Sequence, residues 1–219
     1  MATPFDPTIV FQVVDLGGVL ANGVLGGVVA RRLRFDPVGF VTLALISGLG
    51  GGVLRDTLLQ GGVPVALTNP AYLVCGLIGA LIAFLVDLRG RFTRRGLLLA
   101  DALALGCWAA TGTGKALGVG LPWLSAILLG IITAVAGGMI RDLVVREVPA
   151  IFSGPTLVAS PALLASIWMA VATSLGAPTI GMAGSILIAA SFALASRRFG
   201  WRLPEATDLT VRIPHRRRT

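Results

Sequence analysis

The sequence has little of what enzymes use. One histidine, two cysteines and ten acidic residues are spread over 219 positions. His215 stands in a basic C-terminal stretch with no neighbour to share a ligand or relay a proton. Cys75 and Cys107 each sit inside an apolar run, where a free thiol behaves as a small hydrophobe and implies no disulfide framework. The apolar runs hold no His cluster, no Ser-His pair and no metal-ligand spacing, so catalysis is not expected, nor is a cofactor. Charged residues make up 13% of the chain, about half the globular average. That leaves too few to clothe a surface in water. Met1 to Pro7 carries Asp6 but no Lys or Arg, and so lacks the basic start of a cleaved signal peptide.

What abounds is hydrocarbon. Hydrophobic residues account for 55% of the chain and its mean hydropathy is +0.89. A helix needs roughly 20 mainly apolar residues to cross a hydrocarbon core about 30 Å thick. Runs of that kind lie near 9–30, 37–54, 71–88, 97–115, 122–140, 156–175 and 178–196. The expected fold is therefore an all-α integral membrane protein of seven spans, one transmembrane domain over residues 1–196 followed by a basic tail at 197–219.

The net charge of +8 follows from topology and does not call for nucleic acid. Arg31, Arg32 and Arg34 lie in the first connection, Arg89, Arg91, Arg94 and Arg95 in the third, and Arg146 in the fifth. Seven more arginines lie in the tail, so of the 18 Lys and Arg only Arg55, Lys115 and Arg141 fall elsewhere. Short cytoplasmic connections hold the excess of positive charge, which predicts an N-terminus outside and a C-terminus in the cytoplasm of a plasma-membrane protein. The tail, with Arg212 and His215 to Arg218, is also able to meet anionic lipid head groups. Trp108, Trp123, Trp168 and Trp201 read as interface or packing aromatics.

The chain repeats itself. Gly51-Gly52-Val53-Leu54-Arg55-Asp56 recurs as Gly137-Gly138-Met139-Ile140-Arg141-Asp142, 86 residues on. Val63-Pro64 answers Val148-Pro149, and Pro70 answers Pro155. Asp15 precedes Gly51 by 36 residues, as Asp101 precedes Gly137. Repeat one covers about 9–88, repeat two about 97–175, and the seventh span lies outside both. Three spans per copy is an odd number, so the copies are expected to lie inverted in the membrane, an arrangement typical of transport proteins with a site at the repeat interface.

Glycine permits kinking or close backbone approach, so each diglycine is the expected break in its span. Carbonyls freed there, with Asp56 and Asp142 beside them, would replace part of a cation's hydration shell. Arg55 and Arg141 need partners, because an unpaired arginine in the membrane is costly. Neighbours on a helix point about 100° apart, so Arg55 is expected to pair with Asp101 or Asp142, and Arg141 with Asp15 or Asp56. Lys115, at a span's outer end, is expected to snorkel to the interface, the alternative reading being a part in voltage response as a charge within the membrane field.

With its duplicated Gly-Gly-x-x-Arg-Asp, three spans per copy and an extra last span, the sequence resembles a prokaryotic member of the trimeric intracellular cation channel family over about residues 9–196. The resemblance implies a homotrimer in membrane lipid, each subunit with its own pore, passing monovalent cations, chiefly potassium. It places pore-lining or ion-binding roles on Gly51, Gly52, Arg55, Asp56, Gly137, Gly138, Arg141 and Asp142 of kinked second and fifth spans. Asp15, Asp101 and Lys115 are candidates for bracing or gating. No metal is expected beyond the transient monovalent cation. Related bacterial sequences have also been labelled glycine transporters, which keeps open a secondary transporter of a small solute.

Overall fold

A computed structural model describes residues 7–86, 88, 90–152 and 157–201. Asp6, Arg89, Pro155 and the tail beyond Trp201, His215 included, lie outside the described residues. Eight helices follow in order: α1 Pro7–Arg32, α2 Pro37–Leu59, α3 Val65–Thr68, α4 Pro70–Leu85, α5 Arg91–Gly118, α6 Trp123–Val144, α7 Ala159–Ser174 and α8 Pro178–Phe199.

Local chemistry marks the starts. Pro37, Pro70 and Pro178 open α2, α4 and α8, where proline's missing N–H removes no helical bond. Asp36 caps α2 by accepting from the Gly39 N–H at 2.7 Å, and Asn69 caps α4 by accepting from Ala71 N–H at 3.0 Å. The α8 helix continues three residues past the expected span, ending at left-handed Gly200, and so takes Arg197 and Arg198 out of the tail.

Helices α1, α2, α5, α6 and α8 are long and apolar enough to cross a membrane. The third helix of each half, α4 and α7, is also apolar but has 16 residues, about 24 Å of rise. The short α3 is a single turn leading into α4.

Packing divides the described residues into two triples, α1 with α2 and α4, and α5 with α6 and α7. They join through α1 against α5 and α2 against α6, while α8 lies on α5 and α7. The interior is built largely of alanine, Ala44, Ala80, Ala83, Ala104, Ala109, Ala136, Ala162 and Ala165 among them, all nearly sealed from solvent. Large side chains face outward, as with Val74, Leu77, Ile78, Leu81 and Leu85 along one stripe of α4. Small inside and large outside suits a lipid solvent. There, helices associate through close backbone packing and gain little from hiding leucine from its surroundings.

Candidate functional site

The duplicated motif sits where α2 and α6 meet. A side chain at Gly51 would place its Cβ 2.3 Å from the Thr133 carbonyl oxygen. One at Gly137 would lie 2.5 Å from the Ser47 oxygen. Ser47 and Thr133 are themselves 86 residues apart, so the crossing is self-complementary: each half supplies a glycine that admits the other half's backbone. The second glycine of each pair behaves differently. Beyond Gly52 and Gly138 the nearest atom is the Nη2 of their own Arg55 and Arg141, 3.8 Å away. These positions have room for a Cβ in ordinary contact with that arginine.

Both helices run uninterrupted through the diglycines. The expected break, with carbonyls released from the helical ladder, is therefore corrected. The first glycine serves close crossing and the second clears room, and neither task requires the backbone to unwind.

Two cavities flank the crossing. Asp15, Val19, Gly48, Leu49, Gly52, Arg55 and Asp56 line the first. Their counterparts Asp101, Leu105, Ala134, Val135, Gly138, Arg141 and Asp142, each 86 residues on, line the second. Two places differ. Trp108 lines the first cavity, and Asn22, 86 residues earlier, lines the second. Tyr72 lines the first, and Val158, 86 residues later, the second. The bulkier pair leaves a first cavity of about 20 Å³, room for about one water. The second measures about 240 Å³.

The arginines do not pair as expected. Arg55 Nε donates to Asp56 Oδ1 at 2.7 Å, and Arg141 binds Asp142 Oδ1 through Nε at 2.9 Å and Nη2 at 2.7 Å. The 100° between neighbouring Cβ directions constrains only the root of a side chain, and arginine's long stem lets the guanidinium curl back onto the next residue's carboxylate. The second oxygen of each acid anchors the following loop: Asp56 Oδ2 accepts from Val65 N–H at 3.0 Å, and Asp142 Oδ2 from Ala150 N–H at 3.3 Å. Charged donors and backbone amides together compensate two buried carboxylates.

Lys115 does not merely snorkel, because its Nζ reaches Asp56 Oδ1 at 3.2 Å. Asp15 is no partner of Arg141. Its two oxygens accept from the Tyr72 hydroxyl and from Trp108 Nε1, the latter at 2.7 Å. Asp101 is no partner of Arg55, and its Oδ2 lies 3.5 Å from Arg197 Nη2. Among the described residues no group of three or more His, Cys, Asp and Glu is gathered to hold a metal ion.

Sequence reasoning missed Tyr72, Trp108, Asn22 and Arg197. A signal for two of them was present: aligning the copies sets Trp108 against Asn22, two hydrogen-bonding groups at one register of an apolar helix. Tyr72 is the chain's only tyrosine.

Comparison with known proteins agrees with this geometry. The family model described as glycine transporter matches twice, over residues 12–87 and 98–174, once in each half. A UPF0126 membrane protein of Deinococcus radiodurans is 34% identical over 194 residues, 87% of this chain and 89% of that one. A UPF0126 membrane protein of Vibrio cholerae is 32% identical, over 80% of this chain and 72% of its own length. Among solved structures, a TRIC cation channel superposes with a TM-score of 0.82 at 29% identity, covering 90% of this chain and 97% of the other. The TRIC orthologue from Rhodobacter sphaeroides gives 0.79 at 31% identity, covering 88% and 99%. This chain is a multi-pass membrane protein belonging to the family that the glycine transporter model describes, and within it to the prokaryotic TRIC proteins.

Proposed function

We propose that the chain is a channel for monovalent cations, chiefly potassium, with one pore in each subunit of a homotrimer. The observation that carries this reading is the pair of cavities lined by matching residues on either side of the α2–α6 crossing. Such a pair makes two halves of one path. Gly52 and Gly138 widen it, while Asp56 and Asp142 supply negative potential to a cation that sheds water on the way. Gly51 and Gly137 hold the wall together, and Arg55 and Arg141 keep the acids oriented. The structural neighbours are cation channels, which supports the same reading. Potassium and the trimer come from the resemblance.

Seven crossings fit the path best, with α4 and α7 spanning despite their length and α3 lying beside it. Two halves of three crossings each are then inverted, and the single domain closes with α8. The excess of arginine in alternate connections sets the N-terminus outside and the C-terminus in the cytoplasm. In this arrangement the first cavity is shut by Tyr72 and Trp108, both bound to Asp15, and conduction requires them to move aside.

A second reading, transport of a small solute such as glycine, is favoured by the family's own description and by the inverted halves. Reconstitution into planar bilayers separates the two. Discrete unitary currents carried by potassium support the channel, whereas saturable glycine uptake without unitary currents overturns it.

A further inference from the structure

Asp101 opens onto the second cavity together with Asn22, Gly138, Arg141 and Asp142. Its counterpart Asp15 is held by two neutral donors, but Asp101 is held by a full positive charge. That charge, Arg197, comes from the last turn of α8, the helix that has no counterpart in the repeat. The guanidinium also donates from Nη1 to the Leu98 carbonyl at 3.4 Å. At 3.5 Å its contact with Asp101 is the longest ion pair among the described residues, and the two side chains keep 21% and 33% exposure. Both remain within reach of ions in the cavity. The guanidinium leaves the acid by being displaced.

We propose that Arg197 is a tethered counter-ion that sets the cation occupancy of the second cavity, holding the place at Asp101 that a passing cation would otherwise take. The proposal rests on the channel reading. A unit charge about 10 Å from an ion's path in a water-like medium changes local cation concentration about two-fold, and more at closer range. The effect is screened by salt, being strong at about 0.01 M, where the Debye length is about 30 Å, and weak at about 1 M.

The test is single-channel recording of the full chain in planar bilayers, with potassium chloride at both concentrations. Arg197→Gln is expected to raise potassium conductance at low salt about two-fold or more, with a much smaller change at high salt. Arg197→Lys keeps the charge and is expected to match the wild type. Asp101→Asn, which leaves the guanidinium unopposed, is expected to lower low-salt conductance by a similar factor. If the wild type conducts while Arg197→Gln and Asp101→Asn both match it at low salt, Arg197 is only a structural tie and the proposal falls. If Arg197→Gln does not fold, Asp101→Asn alone decides, unchanged conductance again refuting it. A wild type without unitary currents brings down the channel reading and this inference with it.

Discussion

The first cavity and the second are lined from equivalent positions 86 residues apart, with Asp15, Gly52, Arg55 and Asp56 answered by identical residues, yet one holds about a single water and the other about twelve times that volume. The difference lies in side chains that the repeat does not share. Where the second cavity has Val158 and Asn22, the first has Tyr72 and Trp108, and both aromatics close on Asp15. The extra cation also moves. It is Lys115, outside the lining, at the motif acid Asp56 of the first cavity, and Arg197, within the lining, at the first-helix acid Asp101 of the second. Asp142 is thereby left with its own arginine alone among charged partners in the described residues. A duplicated frame has been given one tight cavity and one open one by a few side chains.

The comparison breaks most severely at the crossing. Gly137→Leu is expected to prevent recovery of folded protein, since the added atoms meet the Ser47 carbonyl and backbone cannot yield as a side chain can. Gly138→Leu, one residue on and beside only a flexible arginine side chain, is expected to leave the elution profile unchanged while reducing potassium current. Size-exclusion chromatography and bilayer recording of the two variants check the contrast, and equal behaviour would refute the division of labour between the glycines.

Next come the motif acids. Asp56→Asn strands the buried Arg55 and releases Lys115, and is expected to cost about 3–5 kcal/mol, read as a large fall in thermal midpoint in detergent. Asp142→Asn, with a partly accessible Arg141 beside an open cavity, is expected to cost less and to weaken cation preference, seen as a shift of reversal potential in asymmetric salt. Equal destabilisation would mean that the two ends are energetically alike.

The aromatic clamp is a smaller matter. Tyr72→Phe removes one hydrogen bond to a carboxylate, worth about 1.5–3 kcal/mol, and is expected to lower stability modestly while raising open probability. The smallest effect is expected from Arg32→Gln. This exposed residue at the end of α1 pairs with Glu147 in the loop after α6, and its loss is expected to change stability by about 0–1 kcal/mol, read from the thermal midpoint, and the current not at all.

Much of this was legible before any coordinates. Apolar run length located every long helix, because a chain that must satisfy its backbone within lipid has few choices besides helix. Comparing the sequence with itself found the motif, and with it Gly51, Gly137, Asp56 and Asp142. Pairing was not legible. Angular spacing on a helix describes where side chains begin, so it misassigned Arg55 and Arg141, whose stems are long enough to turn back. Tyr72, Trp108 and Arg197 were passed over because their role depends on α4, α5 and α8 bringing them to acids 57, 93 and 96 residues away.

By itself, then, the sequence determined a helical membrane protein of two matched halves, with glycine and acid at equivalent places in each, since hydropathy and repetition are read along the chain without knowing what it packs against. Only the tertiary structure decided which glycine touches and which clears space, which acid meets which base, and which cavity is filled. Those outcomes depend on helices packed at a few ångströms, where one aromatic ring or one guanidinium changes the result.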